Sequence, residues 1–339
     1  MKKITLLIII VSCIFMQGCR PKESHSDPGN AIYYWRTTFT LNDYERSFLQ
    51  KNHINKMYVR FFDVVDTWSY DDWDNVRPVG TLLFLDSVPQ GIEIVPTVFI
   101  TSEAIEQYNN FTEKLYDRIA AMAATNGISF KEIQIDCDWM ESAQGKYYAF
   151  MEKFHQLLKE KGLRLSTTIR LAHTNCPPPS ADYGVLMCYN TSPMENWETT
   201  NSILSTDDVK PYLRYLKSYA LPLSVALPTY SWDLAFNKDK QMIYIDYEKS
   251  CLSGAHAVKE LEKNKYEIIS LENDWESSYG EYYKAHYVRH EEVSTATLME
   301  VKDLVLKHLS QTPQHIVLYQ LDSAQLSKYS DHDVEEIYR

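Results

Sequence analysis

The 339-residue sequence has few glycines and no cysteine pattern of the kind that binds zinc. Its 10 glycines form no glycine-rich loop after the first strand-like segment, which weakens the case for an open nucleotide-binding sheet. The six cysteines include no C-x-x-C pair, so we expect neither a metal site nor a cofactor. A formal net charge of −12 argues against nucleic acid as a partner.

Long apolar runs are absent except at the N-terminus. There, a lysine pair precedes ITLLIIIVSCIFM, and MQGC follows, ending at Cys19. A charged start and a short apolar core predict a secretory signal over residues 1–18. The M-Q-G-C ending resembles a bacterial lipobox, which implies cleavage after Gly18 and lipidation of Cys19. An ordinary signal peptide is the alternative. Residues 19–30 then form a flexible tether to a lipid bilayer, and we expect a lipid-anchored protein of the cell envelope, with the outer membrane favoured.

Aromatic residues are abundant where glycine is scarce. The chain has 25 tyrosines and 7 tryptophans. Side chains with an apolar ring and a polar tip suit clefts that bind sugars. A bulky aromatic core is the alternative explanation for part of this surplus.

Strand-like and helix-like patterns alternate along the chain. The strand-like runs are 31–39, 56–65, 92–101, 131–139, 163–171, 183–190, 221–230 and 315–324. Alternation of this kind predicts parallel strands joined by crossover helices. Eight repeats at this length predict an α/β fold, a (β/α)8 TIM-type barrel, as a single domain over residues 31–339. Residues 231–292 interrupt the alternation, so we expect an insertion after strand 7 that walls one side of the cleft.

Two acids lie close together in the stretch EIQIDCDWMES. Asp136 and Asp138 are two residues apart, so in a strand their side chains point the same way. In TIM-type barrels the reacting groups come from the carboxyl ends of several strands. Those ends give the following candidates: Trp35, Arg36, Arg60, Asp63, Asp136, Asp138, Trp139, Arg170, His173, Tyr189, Asn190, Tyr230, Trp232, Gln320 and Asp322.

This set of side chains predicts a polar cleft with aromatic walls. Two carboxyl groups in such a cleft suit the cleavage of glycosidic bonds, in which one carboxyl protonates the leaving oxygen. The alternative is a structural role, in which Asp136 or Asp138 forms an ion pair with Arg60 or Arg170 inside the barrel.

Several strand ends resemble glycoside hydrolase family 18, the chitinase and endo-β-N-acetylglucosaminidase family. MCYN at 187–190 resembles its strand-6 M-x-Y-D, and LSVALPTYSWDLAF resembles its strand 7. IVLYQLD is similar to its strand 8. The opening YYWRTTF and the strand QIDCDW are also similar to TIM-barrel lipoproteins of gut-type Bacteroidota.

The strand-4 motif of that family, D-x-x-D-x-D-x-E, is degenerate here. One alignment places Asp136 and Asp138 on the two inner aspartates and Met140 on the catalytic glutamate. A shift of two residues instead places Asp138 on the acid. The family glutamate is absent in both alignments.

The resemblance implies a barrel that hydrolyses glycans, including those that contain N-acetylhexosamine. Asp138 is then the expected acid, Asp136 positions the substrate or stabilises positive charge, and Tyr189 donates a hydrogen bond near the reacting sugar. Ten further candidates are expected to bind substrate: Trp35, Arg36, Arg60, Trp139, Arg170, Asn190, Tyr230, Trp232, Gln320 and Asp322. A glycan-binding lipoprotein without catalysis, or a scaffold for an outer-membrane partner, are the alternatives.

Overall fold

The computed structural model describes residues 29–66, 76–107, 110–247, 252, 255–271 and 285–339. The predicted signal, most of the tether and Cys19 lie outside the described residues. Eight parallel strands form the barrel: β1 Gly29–Tyr34, β2 Lys56–Asp66, β3 Glu93–Ile100, β4 Glu132–Asp136, β5 Arg164–Arg170, β6 Tyr183–Met187, β7 Leu223–Pro228 and β8 His315–Tyr319. Each of them matches one of the strand-like runs found in the sequence.

The sheet closes on itself because β1 pairs in parallel with both β2 and β8. Ile32 is opposite Met57 on one side and opposite Leu318 on the other. The remaining strands pair in chain order, and all of these pairings are parallel. The chain therefore forms a (β/α)8 TIM-type barrel, and the predicted fold class is confirmed.

Helices cover the outside of the barrel. They are α1 Asp43–Lys51, α2 Ser102–Glu106, α3 Thr112–Thr125, α4 Gln144–Glu160, α5 Thr206–Val209, α6 Leu213–Leu216, α7 Thr295–His308, α8 Ser323–Leu326 and α9 Asp331–Tyr338. Short 3-10 turns occupy Glu141–Ala143, Leu171–Asn175 and Lys210–Tyr212. No described helix has the length and apolarity needed to cross a bilayer.

Local sequence explains where α1 begins and where α3 ends. Asn42 starts α1 with a capping box, in which its side chain accepts from the backbone N–H of Glu45 while the Glu45 carboxylate accepts from the Asn42 N–H. Gly127 follows α3 with a φ of +64°, a conformation that glycine adopts without steric penalty. The segment between β3 and β4 forms two helices, α2 and α3.

The predicted insertion after β7 is confirmed as a second sheet. Its strands are Trp232–Phe236, Met242–Asp246, Ala255–Glu262, Lys265–Leu271 and Tyr287–Glu291, and they pair antiparallel. We call this five-stranded unit the insertion sheet. Three further short pieces lie beside the barrel: Val76–Val79, which pairs with β2, and Thr38–Phe39, which pairs with Leu83–Phe84.

A buried arginine ties the insertion sheet to the barrel. The side chain of Arg289 is fully buried and donates to the backbone carbonyls of Met194 and Asn196, at 2.9 and 2.6 Å. These carbonyls belong to the connection between β6 and α5. Since Trp232 begins the insertion sheet directly after β7, the insertion sheet stands beside the carboxyl ends of the barrel strands.

Inside the barrel, strand alternation separates polar from apolar side chains of β4. Glu132, Gln134 and Asp136 share one face, and all three residues are buried. Ile133 and Ile135 face the other way and are fully buried in the hydrophobic core. This alternation explains why the strand carries polar residues that are nevertheless inaccessible to solvent.

A charged network fills the end of the barrel opposite the carboxyl ends of the strands. Lys56 Nζ donates to Glu132 Oε2 at 2.8 Å, and both residues are buried. Glu132 Oε1 accepts from Ser166 Oγ at 2.6 Å and from the Tyr183 hydroxyl at 2.5 Å. The hydroxyls of Tyr58 and Tyr183 share a further hydrogen bond of 2.6 Å. The Glu132 carboxylate therefore has a partner at each oxygen, as a buried charge requires.

Candidate active site

A cavity of about 520 Å³ opens at the carboxyl ends of the barrel strands. This is the end at which TIM-type barrels carry their reactive groups. Cavities of about 580 and 650 Å³ also exist in the described part of the chain, but neither contains the β4 carboxylates. The lining residues are Tyr33, Trp35, Arg60, Asp63, Phe99, Asp136, Asp138, Thr168, Met187, Tyr189, Asn190, Tyr230, Trp232, Tyr247, Tyr319 and Gln320.

Asp136 lies at the floor of this cavity with little access to solvent. It ends β4 on the inward face, and its residue surface is 8% exposed. The hydroxyl of Thr168 on β5 donates to its Oδ1 at 2.6 Å. Burial, followed by the charge of Asp138, raises the pKa of Asp136 from 3.8 to about 7, because both disfavour the carboxylate. Asp136 can therefore hold a proton near neutral pH.

Asp138 is more exposed and has a cationic partner. Arg170 Nη1, at the end of β5, lies 3.2 Å from Asp138 Oδ2. Burial raises the pKa of Asp138, while the charge of Arg170 opposes the shift. Asp138 Oδ1 is buried and has no hydrogen-bond partner among the described residues. The two carboxyl groups therefore differ. Asp136 favours its protonated form, whereas Asp138 forms an ion pair with the Arg170 guanidinium.

A second ion pair forms one wall of the cavity. Arg60 Nε donates to Asp63 Oδ1 at 2.7 Å, and its Nη2 contacts the other carboxylate oxygen. The guanidinium also lies 5.9 Å from the ring centroid of Trp35. This fork-shaped pair fixes both side chains of β2. Of the ion pairs predicted as the structural alternative, the structure contains the one between Asp138 and Arg170, whereas Arg60 binds Asp63 instead of either acid.

Stacked tyrosines form the floor around Asp136. The Tyr33 hydroxyl donates to Gln134 Oε1 at 2.8 Å, and its ring is 5.5 Å from that of Tyr319. The rings of Tyr319 and Tyr189 stack at 5.2 Å. Burial raises the pKa of Tyr189 well above its usual value, so its hydroxyl stays protonated and can donate a hydrogen bond.

The wall next to the insertion sheet is fixed by hydrogen bonds. The Tyr230 hydroxyl donates to Asn190 Oδ1 at 2.6 Å. Asn190 has a φ of +51°, a left-handed conformation that asparagine tolerates better than most residues. The indole N–H of Trp232 donates to Glu291 Oε2 at 2.8 Å. Tyr230 and Trp232 consequently present their rings to the cavity in defined positions.

Ten predicted site residues line this cavity, while five others do not. The ten are Trp35, Arg60, Asp63, Asp136, Asp138, Tyr189, Asn190, Tyr230, Trp232 and Gln320. Arg170 is not part of the lining, but it contacts the cavity through its ion pair with Asp138.

Arg36, Trp139 and Asp322 lie outside the lining, each for a local reason. Arg36 turns away to pair with the buried Glu45 of α1 at 2.9 Å. Trp139 stacks on His173 with 3.8 Å between ring centroids, so the indole is buried beside α4 rather than open to the cavity. Asp322 caps α8 by accepting from the backbone N–H of Gln325.

The structure adds lining residues that the sequence analysis did not select: Tyr33, Phe99, Thr168, Met187, Tyr247 and Tyr319. Thr168 has a sequence signal, because it lies two residues before Arg170 and shares its face of β5. Tyr247 has none, since it follows the second strand of the insertion sheet and only folding brings it to the cavity. Among the described residues, no group of three or more His, Cys, Asp or Glu side chains could hold a metal ion.

Comparison with known proteins shows similarity in structure only. No family model and no curated protein sequence matches this chain. The spore cortex-lytic enzyme SleL of Bacillus megaterium superposes with a TM-score of 0.53 at 12% identity, over 94% of this chain and 76% of the other.

Two chitinases have a similar fold. The chitinase of Chromobacterium violaceum matches with a TM-score of 0.52 at 14% identity, over 91% of this chain and 98% of the other. The GH18 chitinase ChiB, from the chitin utilization locus of Flavobacterium johnsoniae, matches with a TM-score of 0.51 at 12% identity, over 92% and 94%. This chain therefore has a TIM barrel of the type found in the GH18 glycoside hydrolases.

Proposed function

We propose that this barrel acts on glycans and hydrolyses a glycosidic bond at Asp136 and Asp138. The observation that carries the proposal is the β4 carboxyl pair, which lies in a cavity with aromatic walls and includes one group with a pKa of about 7. A general acid needs a proton near the working pH, and burial supplies that property to Asp136. The fold shared with GH18 chitinases supports glycans that contain N-acetylhexosamine as the first substrates to test.

The two carboxyl groups have different environments, and we assign them different roles. Asp136 donates its proton to the glycosidic oxygen as the bond to the anomeric carbon breaks, and a water molecule then adds to that carbon and returns a proton to the Asp136 carboxylate. Asp138, paired with Arg170, stabilises the positive charge that develops on the sugar ring. The neutral Tyr189 hydroxyl donates a hydrogen bond near the reacting sugar. This assignment exchanges the roles of the two aspartates that the sequence resemblance implies.

The second candidate function is glycan binding without hydrolysis. Met140 occupies the position of the family glutamate in one alignment, and this residue is 52% exposed at the end of the β4 segment. A methionine cannot transfer a proton. If Asp136 is too deeply buried to reach a leaving oxygen, the cavity still offers aromatic rings and hydrogen-bond groups for a sugar.

A glycan panel separates these two functions. The purified chain is incubated with chitohexaose, cellohexaose and N-glycans, and products are measured by mass spectrometry while affinity is measured by calorimetry. We expect binding and cleavage of at least one N-acetylhexosamine-containing glycan. Tight binding with intact glycan after long incubation would support the binder, and absence of both would exclude the glycan proposal.

We also propose that the chain is anchored to a membrane of the cell envelope through lipid on Cys19. The N-terminal run and the M-Q-G-C ending support this proposal. Expressed in a Gram-negative host, the wild-type chain is expected in the membrane fraction and to incorporate labelled palmitate. Cys19→Ala removes the acceptor thiol and is expected to abolish labelling, whereas Cys13→Ala is the matched control. Equal labelling of the wild type and Cys19→Ala would contradict the proposal.

A further inference from the structure

Four aromatic rings form a continuous row from the barrel floor to the insertion sheet: Tyr319, Tyr230, Trp232 and Tyr247. Neighbouring ring centroids in this order are 5.8, 5.2 and 5.9 Å apart. All four residues line the same cavity. We call this set the aromatic row. It runs from the barrel floor near Asp136 towards the insertion sheet, so the cavity is elongated in that direction.

Exposure changes sharply at the outer end of the aromatic row. Tyr230 and Trp232 are 7% and 3% exposed, whereas Tyr247 is 61% exposed. The contact between Tyr247 and Trp232 is edge-to-face, with an interplanar angle of 68°. The exposed ring of Tyr247 continues a row of largely buried rings to the mouth of a polar cavity, where it can offer its apolar face to a ligand.

The ring that supports Tyr247 is itself held firmly. Trp232 donates its indole N–H to Glu291 at 2.8 Å, and Arg289 Nε donates to the same carboxylate at 2.6 Å. The Ser202 hydroxyl adds a third hydrogen bond of 2.6 Å to Glu291. Since Arg289 and Glu291 are fully buried, these contacts hold the outer wall in place before a ligand arrives. A preorganised wall reduces the entropy that binding would otherwise lose.

We propose that Tyr247 stacks on a sugar ring at the outer end of the cavity, and that the ligand is an oligosaccharide reaching from Asp136 to the insertion sheet. This inference rests on the proposed glycan function and deepens it by assigning a minimum ligand length. A tyrosine combines an apolar face, which suits the C–H face of a pyranose, with a hydroxyl that remains hydrated. Because Tyr247 lies three ring contacts beyond Tyr319 along the aromatic row, we expect a disaccharide at Asp136 not to reach it.

The test compares ligands of different length on two tyrosine variants. Calorimetry uses chitobiose and chitohexaose as probes with the wild type, Tyr247→Ala and Tyr44→Ala. Tyr44 is the matched control, because it is 40% exposed but lies on α1, away from the cavity. We expect Tyr247→Ala to weaken chitohexaose binding about tenfold, the effect of losing one aromatic contact. Chitobiose binding by Tyr247→Ala, and binding of both probes by Tyr44→Ala, should equal the wild type.

The outcomes distinguish this inference from the proposed function. If the wild type binds chitohexaose and Tyr247→Ala binds it equally well, or if chitobiose binding falls by the same factor, Tyr247 is not an outer sugar site. If the wild type binds neither probe nor any other oligosaccharide of the glycan panel, both proposals are overturned. Thermal unfolding of each variant verifies that the exposed substitutions leave the fold intact.

Discussion

Replacing Asp136 by asparagine is expected to lower kcat/KM for glycan hydrolysis by about 10³-fold, a typical effect of removing a general acid. Asparagine keeps an oxygen that can accept the Thr168 hydrogen bond, observed at 2.6 Å for Asp136, but it has no proton to transfer. Steady-state kinetics on the best substrate of the glycan panel measure the effect. A variant with more than a tenth of wild-type activity would exclude Asp136 as the proton donor.

The pH dependence of the same reaction tests the role of Asp136 independently. A donor with a pKa of about 7 is protonated below that pH, so wild-type kcat/KM should fall about tenfold per pH unit above 7. Asp138→Asn is the comparison, because it removes the carboxylate beside Arg170 while leaving the donor in place. It should lower the rate and retain an alkaline limb, shifted to lower pH since a neighbouring negative charge is gone. An alkaline limb that persists in Asp136→Asn would contradict the assignment.

Asp136→Asn should also stabilise the fold at alkaline pH. The folded-state pKa is raised to about 7 from 3.8, so the folded chain holds a proton that the unfolded chain has lost between these values. The contribution of Asp136 to the free energy of unfolding is therefore fully present below about pH 4 and is lost as the pH rises through 7. The variant should match the wild type at pH 4 and exceed it by about 4 kcal/mol at pH 8. Urea unfolding measures this difference even if the chain only binds glycans.

Glu132→Ala is expected to destabilise the barrel by about 3–5 kcal/mol, because it leaves the Lys56 ammonium buried without its nearest carboxylate. The Lys56 side chain is 3% exposed, and its other acidic neighbour, Glu93, lies 3.5 Å away on a half-exposed side chain. The hydroxyls of Ser166 and Tyr183 also lose their acceptor. Urea unfolding at pH 7 measures the free energy of unfolding.

Two further variants make this result interpretable. The double variant Lys56→Met/Glu132→Met replaces both charges with apolar groups and should recover most of the lost stability, because paired replacement of buried ions is often neutral. Lys210→Ala removes one partner of an ion pair on the surface and should leave the unfolding midpoint unchanged. A loss for Glu132→Ala as small as that for Lys210→Ala would show that the network contributes little.

The barrel and the position of its site could be predicted from short-range patterns. The eight strand-like runs correspond to β1–β8, because alternation along a strand depends only on neighbouring residues. The same alternation placed Asp136 on the inward face with Gln134. The resemblance in strand order agrees with the fold of the GH18 chitinases, although identity is only 12–14% in the two chitinases compared.

Properties that depend on distant partners could not be predicted. Trp139 follows the two acids in the sequence, yet its indole stacks on His173 and does not line the cavity. Arg36 and Arg60 were equally good candidates, but the Arg36 guanidinium forms an ion pair with Glu45 of α1. Both residues are arginines near the end of a barrel strand, so residue type and position do not show which of them lines the cavity. Only the packing of neighbouring elements decides this.

The sequence by itself determined the closed α/β barrel, the insertion after β7 and the carboxyl pair at the end of β4, since each follows from local periodicity. The tertiary structure decided how the two carboxyl groups differ. Asp136 is buried against Thr168 and keeps a proton, whereas Asp138 pairs with Arg170. It also brought Tyr247 to the mouth of the cavity, more than a hundred residues beyond Asp136 in the chain. Burial and contacts between distant segments arise only when the chain folds. The different environments of the two carboxyl groups therefore could not be predicted from the sequence.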